Sequence, residues 1–401
     1  MKEAYIVNGV RSAIGNFGGT LSAVRTDDLA SFVLKELIKK NPSVNWEQVG
    51  DVIMGCANQA GEDNRNVARM AGLMAGLPVS VPGQTINRLC ASGLAATMDA
   101  ARYIKCGEAD LMIAAGVENM TRGPWVMSKA STPFGRDQQL FDTSFGWRFI
   151  NPALKEVYGT DAMGETAENV AEQYKINRED QDAFALWSQQ KAAKAAASGR
   201  LAKEIVAITI PQKKGDAIIF DKDEFSKPNT NLESLSKLKP AFKKDGTVTA
   251  GNASGLNDGA AAILLASEAG LKNNNLTPIA KVLAGVAHGV EPRIMGIGPI
   301  EAANKALKQA GLTWDKVDVL ELNEAFAAQA LACTRSWGLA DNDSRINING
   351  GAIALGHPLG MSGARILNSA AITLQETNKK YAVVTMCIGV GQGYAMVIER
   401  V

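Results

Sequence analysis

The sequence predicts an α/β layered fold of two duplicated βα halves packed back to back, with a loop-rich segment inserted into the first. Three observations predict it. Apolar strand-like runs alternate with Ala-rich helical runs along most of the chain, the texture of sheets covered by helices. A motif recurs: Trp46-Glu-Gln-Val49 leads into Val52-Ile-Met-Gly55, and Trp314-Asp-Lys-Val317 leads into Val319-Leu-Glu-Leu322. At closely similar spacing each half then carries a small-residue loop, Cys90-Ala-Ser-Gly93 and His357-Pro-Leu-Gly360, that hands a strand region over to a helix. With 401 residues the chain exceeds one ordinary core, so two or more packed units are expected.

The elements follow in order. Ala4–Val10 reads as the first strand and Asp28–Lys39 as a helix. Val52–Gly55 and Leu111–Gly116 are strands on either side of the helix Leu94–Lys105, and residues 1–121 make up the first half. From 122 to 250 the texture changes to polar loops, the helices Glu165–Tyr174 and Ala183–Ser198, and charged stretches such as Gln212–Lys214 and Lys237–Asp245. That segment reads as a cover over something, not a third core. Residues 251–275 return to strand with Ala260–Ala266 and close the first half. Residues 276–401 supply the strands Ile279–Gly285, Val317–Leu322 and Tyr381–Cys387 and the helix Gly363–Leu374.

Composition excludes several classes. Charges balance at +1 and 46% of residues are apolar, a compact composition with no basic block for nucleic acid. No apolar run reaches the roughly 18–20 residues of a membrane span. The start, Met1-Lys-Glu-Ala-Tyr-Ile-Val-Asn, reads as a strand without signal-peptide features, and Ile398-Glu-Arg-Val401 is no peroxisomal address. Five scattered cysteines (56, 90, 106, 333 and 387) argue against a disulfide framework or zinc ribbon, so a reducing, cytoplasmic setting is expected. No His/Cys/Asp spacing indicates a metal.

Cys90 precedes Gly93 and the helix from Leu94, which places its sulfur near a helix N-terminus, where a thiolate is stabilised and its pKa depressed. A buried core cysteine is the bland alternative. His357 sits in Asn349-Gly-Gly-Ala-Ile-Ala-Leu-Gly-His-Pro-Leu-Gly-Met-Ser-Gly363, where the glycines let a substrate approach the main chain. At the repeat position opposite Cys90 it is a natural base for a thiol, although a loop histidine bonded to backbone is also possible. His288 lacks such a setting and reads as structural. Cys387, in Met386-Cys-Ile-Gly-Val-Gly-Gln-Gly393, is either a second thiol beside glycine-exposed amides or an inert strand cysteine; no P-loop or dinucleotide fingerprint accompanies it. In Leu322-Asn-Glu-Ala-Phe326, Asn323 could orient water or a carbonyl, and Glu324 could be a helix N-terminal charge. Together these groups suit acyl transfer: one thiol carries the acyl group, the histidine takes its proton, and amides stabilise the oxyanion.

At these residues the sequence resembles the thiolase family, over essentially the whole chain. Cys-Ala-Ser-Gly at 90–93, Asn-Glu-Ala-Phe at 323–326, Gly-His-Pro at 356–358, Cys-x-Gly-x-Gly-x-Gly at 387–393 and the block Gly246–Gly259 occur in the family's order. The resemblance implies a five-layer αβαβα sandwich, Cys90 as acylated nucleophile, His357 as its activator and Cys387 as acid–base at the α-carbon. Asn323 would hold a water that completes, with His357, the oxyanion hole for the enolate. The amides of Cys90 and Gly389 would form a second hole. Ser254 would meet the pantetheine arm, Lys227 and Ser234 the adenosine end, and Met163 the acyl pocket. Coenzyme A is implied as substrate, with no permanently bound cofactor, and a homodimer or homotetramer as the assembly. Ketoacyl and hydroxymethylglutaryl-CoA synthases share the fold, but the second cysteine in Cys-x-Gly-x-Gly-x-Gly separates this chain from them. A non-catalytic acyl-CoA-binding relative is the alternative of another class.

Acetoacetyl-CoA-specific members typically carry His-Met where this chain has Ala162-Met163, so a roomier acyl pocket is expected. Gly61–Met70, Gly146–Pro152, Ala162–Val170 and Arg345–Gly363 resemble instead the 3-oxoadipyl-CoA thiolases of aromatic degradation. Acetoacetyl-CoA and medium-chain 3-ketoacyl-CoA thiolases are the alternatives. A dicarboxyl substrate needs a cation for its tail. Arg148, Arg65 and Arg88 are candidates, each equally readable as a structural arginine.

Overall fold

The computed structural model describes residues 2–401. Its frame is strand β1 (Tyr5–Arg11), helix α1 (Thr26–Lys40), β2 (Val49–Gly55), α2 (Val67–Ala75), β3 (Gly83–Ile86), α3 (Ser92–Cys106) and β4 (Leu111–Asn119). Helices α4 (Met163–Tyr174) and α5 (Arg178–Ala197) follow, then β5 (Asn257–Ala266), β6 (Ala280–Gly289), α6 (Gly298–Gln309), β7 (Val319–Leu322) and α7 (Ala327–Ser336). Helix α8 (Leu359–Thr377) and strands β8 (Tyr381–Ile388) and β9 (Gln392–Arg400) complete the chain.

The strands run β7-β8-β9-β6-β1-β5-β4-β2-β3, with Gly15–Asn16 added on β5. Pairing is parallel for β7–β8, β2–β4 and β2–β3 and antiparallel elsewhere. The two halves meet at β1 and β6, which share only the pairs Tyr5–Lys281 and Ile6–Ala280. So thin a seam leaves two sheets that diverge on either side of it. Helices α3 and α8 fill the space between them, packed on each other, with α8 touching strands of both sheets. Helices α1 and α2 cover the outer face of the first sheet, and α6 and α7 that of the second. The result is five layers: helices, sheet, helices, sheet, helices.

The sequence explains which helix lies where. An outer helix needs one apolar stripe, and α1 buries Leu29, Ala30, Val33, Leu34 and Leu37 while Lys39 and Lys40 stay outside the core. A central helix must be apolar or small all round, and α8 is buried from Gly360 through Ala371. Strands β4 and β5 are covered on both faces and buried at every position, which accounts for their uninterrupted apolar runs.

Two glycines make the central layer possible. A Cβ at Gly93 or Gly116 would collide with the carbonyl of Gly360. The loop after His357 therefore lies directly on the backbone of α3 and β4, and only glycine permits that approach.

The segment between β4 and β5 holds two small hairpins besides α4 and α5. A buried ion network joins it to the core. Arg11 on β1 donates through Nε to Glu204 at 2.8 Å and through Nη1 and Nη2 to Asp223 at 2.7 and 2.8 Å. Arg200 pairs with Glu204 at 3.0 Å and donates to the Ser369 carbonyl of α8. With every charge partnered, the desolvation of the guanidinium is offset.

Each strand and helix range read from the sequence overlaps an observed element of the same kind. Four elements were not legible: α2, β3, α6 and β9. Strand β3, Gly-Gln-Thr-Ile, is half-buried throughout and lacks an alternating pattern. Strand β9 begins inside the glycine run after Cys387, which masks its start. Among the described residues no helix is long and apolar enough to cross a membrane.

Candidate active site

Cys90 lies on a short 3-10 turn, Leu89–Ala91, that runs straight into α3. Leu89 is held at φ +46°, a left-handed conformation that a branched side chain adopts only when its surroundings enforce it. The enforcement is visible. Asn87 Oδ1 accepts from Leu89 N–H at 2.8 Å, Ser92 Oγ accepts from Arg88 N–H at 2.9 Å, and Ser92 Oγ–H donates to the Leu89 carbonyl at 2.7 Å. The turn packs against β8, which carries Cys387 near its end, and against helix α8, which His357 precedes.

Cys387 is the penultimate residue of β8 and 1% exposed. Just beyond the strand, the backbone amide of Gly389 lies beside the Cys90 sulfur, where it and the amide of Cys90 itself favour a thiolate. Met163, the first residue of α4, reaches the same glycine: a Cβ on Gly389 would lie 3.8 Å from its sulfur.

His357 is buried at the entry to α8. Its N–H donates to Asn257 Oδ1 at 2.9 Å, and Nδ1 lies 2.6 Å from Ser362 Oγ. Ser362 Oγ also lies 2.9 Å from the Pro358 carbonyl. With the hydroxyl proton given to that carbonyl, Nδ1 carries the ring proton and Nε2 is left as an acceptor. Asn323, 1% exposed at the end of β7, places Nδ2 3.4 Å from Nε2, and its Oδ1 is buried without a partner.

The charge state departs from the sequence expectation. A helix N-terminus lowers a thiol pKa, and the two backbone amides act that way here. Cys90 is only half-buried, yet the protein packed around its sulfur outweighs them and pushes the thiol up to about 11. Cys387 is pushed well above its ordinary value by burial, with Cys90 adding to the effect. Burial drives His357 down to about 3, helped by the nearby Arg365 cation. The free enzyme near neutrality therefore holds two neutral thiols and a neutral imidazole. Alkylation of Cys90 by iodoacetamide is expected to speed up about tenfold per pH unit between pH 7 and 10, following the thiolate fraction. Time courses of labelling, read by peptide mass spectrometry, check this; a plateau reached below pH 8 contradicts it.

Glu324 is not a helix N-terminal charge. It is fully buried, and α7 starts three residues later. Its carboxylate accepts from Ser188 Oγ and Asn347 Nδ2 at 2.6 Å each and from Ile353 N–H at 3.2 Å. It brackets the glycine-rich loop before His357. Ser254 donates its N–H to the Ala325 carbonyl at 2.9 Å, so it stands beside the Asn323 segment. Lys227 and Ser234 lie apart, exposed on the covering segment. Ser234 is engaged in capping its own short helix through Asn231. His288 is on β6 with Nδ1 3.0 Å from Lys305 Nζ, outside this cluster.

Sequence reading missed three supporting residues. Ser362 was detectable as a hydroxyl five positions past His357 in the same loop-to-helix run. Asn257 and Glu118 carried no local signal. Buried Glu118, pushed up to about 7 by burial, accepts N–H bonds from Ala57, Asn58 and Gly360 at 3.0, 3.0 and 2.9 Å. Cys56, Asp63 and Glu118 cluster with possible ligand atoms within 4.8 Å of one another, a grouping not foreseen. Asp63 also accepts two backbone N–H bonds, so the carboxylates serve as anchors for the loop after β2.

Comparison with known proteins bears on this geometry. Residues 4–269 match the thiolase N-terminal domain and residues 276–400 the thiolase C-terminal domain. The chain belongs to the thiolase family. This thiolase is 60% identical over 401 residues to a beta-ketoadipyl-CoA thiolase of Acinetobacter baylyi, covering all of both chains. It is 58% identical, again over both full lengths, to the 3-oxoadipyl-CoA/3-oxo-5,6-dehydrosuberyl-CoA thiolase of Escherichia coli. The Bacillus anthracis acetyl-CoA acetyltransferase structure matches at TM-score 0.90 and 41% identity, covering 100% of this chain and 99% of that one. Human mitochondrial 3-ketoacyl-CoA thiolase in complex with CoA matches at 0.91 and 40%, with coverage of 100% and 98%. As a thiolase, this chain is an acyltransferase that takes coenzyme A and acyl-CoA as substrates.

Proposed function

We propose that this thiolase cleaves 3-oxoadipyl-CoA with coenzyme A to give succinyl-CoA and acetyl-CoA, through an acyl group carried on Cys90. The chemistry is supported by the Gly389 amide beside the Cys90 sulfur, on a turn that packs against β8, which carries Cys387, and against α8, which His357 precedes. The substrate class is supported by full-length identity of 56–60% to relatives named as beta-ketoadipyl-CoA thiolases.

The steps follow from the groups present. His357 Nε2 takes the Cys90 proton, and the thiolate attacks the 3-keto carbon. The amides of Cys90 and Gly389 receive the negative charge on that oxygen. As the oxygen regains its double bond, the Cα–Cβ bond breaks and its electron pair leaves on acetyl-CoA as an enolate. The imidazolium, with a water oriented by Asn323, stabilises the enolate oxygen, while the Cys387 thiol protonates the α-carbon. Burial suits Cys387 to this step, because the thiol is protonated when the enolate forms. A second coenzyme A, deprotonated by the Cys387 thiolate, attacks the acyl-Cys90 thioester. The Cys90 thiolate leaves and regains its proton from His357. Ser254, Lys227 and Ser234 line the path proposed for the coenzyme A arm. No permanently bound cofactor enters any step. A cytoplasmic homodimer or homotetramer, acting in aromatic degradation rather than fatty acid β-oxidation, completes the reading.

Thiolysis of 3-oxoadipyl-CoA beside acetoacetyl-CoA, at equal coenzyme A, is the test. A kcat/KM at least about tenfold higher for the dicarboxyl substrate is expected, the discrimination of a site built to bind a polar tail. Equal or better turnover of acetoacetyl-CoA would assign a general acetyl-CoA acetyltransferase instead.

A further inference from the structure

A carboxylate at the far end of the acyl chain needs a cation near the pocket that Met163 borders. None of the three arginines singled out in the sequence lines that region. Arg65 is exposed. Arg88 lies over the Tyr394 ring at 5.3 Å, with Nη1 3.5 Å from Gln392 Oε1. Arg148 is half-buried but does not border the cleft beside Met163.

That cleft is lined by Trp147, Tyr158, Asp161, Met163, Arg293 and Val390, among others. Two of these residues tie it to the reacting atoms. Val390 directly follows Gly389, whose amide lies beside the Cys90 sulfur, and Met163 packs over the same glycine. The cation on its rim is Arg293, whose side chain is 58% exposed.

Its guanidinium is held in place. Nε donates to Asp161 Oδ2 at 2.9 Å, and that oxygen is fixed by Asn169 Nδ2, also at 2.9 Å. Asn169 Nδ2 reaches the Arg293 carbonyl at 3.0 Å as well, and Trp147 Nε1 donates to the Asp161 carbonyl at 3.3 Å. Gly159, at φ +72°, lies beneath the arginine: a Cβ there would sit 3.6 Å from Arg293 Cδ. Only Nε is engaged, so the Nη1/Nη2 edge remains for a planar, bidentate partner, the geometry a carboxylate offers. Asp161 neutralises part of the charge, which keeps the site from trapping any passing anion.

We propose that Arg293 selects acyl chains ending in a carboxylate, reading the tail through its two Nη groups across the cleft beside Met163. The proposal rests on the dicarboxyl-substrate reading above and names the residue responsible for it.

The test compares kcat/KM for 3-oxoadipyl-CoA with that for 3-oxohexanoyl-CoA, its counterpart lacking the carboxylate, in the wild type and in Arg293→Gln, Arg293→Lys and Arg148→Gln. The wild type is expected to prefer the dicarboxyl substrate. The preference ratio should fall about 10- to 100-fold in Arg293→Gln, the loss expected for a charge-assisted hydrogen-bonded pair, and recover in part in Arg293→Lys. A wild type without preference overturns the substrate reading itself. A wild-type preference that survives Arg293→Gln overturns the assignment of Arg293 alone, and its loss in Arg148→Gln would transfer the role to that residue.

Discussion

Replacing Cys90 by alanine is expected to lower thiolytic turnover on the order of 10⁵-fold, because the variant has no atom to carry the acyl group between the two half-reactions. The fold should tolerate the change. The Cys90 sulfur makes its contacts with backbone amides of residues already fixed by other bonds, and Leu89 is held by Asn87 and Ser92 rather than by the thiol. Intact-protein mass spectrometry after mixing with a 3-oxoacyl-CoA gives the direct readout. The wild type should gain the mass of one acyl group, the variant none. An adduct that persists in the variant would place the nucleophile elsewhere. A wild type that never forms one would revive the reading of a non-catalytic acyl-CoA binder.

Replacing Cys387 by alanine is expected to lower carbon–carbon cleavage about 10³-fold, the usual scale for a positioned proton donor. The informative part is what should survive. Exchange of an acyl group between acyl-CoA and isotopically labelled coenzyme A passes through Cys90 but generates no carbanion: the His357 imidazolium returns its proton to the departing coenzyme A thiolate and the neutral ring takes one from the incoming thiol, so Cys387 is asked for no proton. Exchange should therefore fall far less than cleavage. Cys387 is fully buried among Ala167, Val248, Phe326 and their neighbours, and a purely structural role would depress both reactions alike. Comparing the two rates in one preparation distinguishes acid–base function from packing.

Much of the site was legible because its chemistry is local. Cys90, His357 and Cys387 each stand in a run of small residues, and glycine density marks places where a ligand meets the main chain. Supporting residues were not legible, since what recruits them is distance in space. Asn257 and Glu118 reach the His357 loop from strands 100 and 242 positions away in the chain. Ser362 was within the quoted motif, yet nothing in the residue order says that its hydroxyl faces the ring. Arg293 illustrates the same limit. The sequence points to arginines in neighbouring motifs, whereas the cation on the rim of the cleft comes from the 3-10 turn Pro292–Ile297 just before α6, remote from Met163 in sequence.

Periodicity and apolar runs by themselves determined the alternation of strands and helices, and the recurrent Trp-led motif determined that two similar units exist. Those features depend on residues close in sequence, where side-chain direction follows from helical or strand geometry alone. The tertiary structure decided how the units meet: two residue pairs at the β1–β6 seam, and two glycines whose missing Cβ atoms let the Gly360 carbonyl rest on α3 and β4. It also decided the protonation states. A helix N-terminus favours a thiolate, but the cost of burying charge grows with the depth of the surrounding core, and that depth is a property of the packed layers rather than of any stretch of chain.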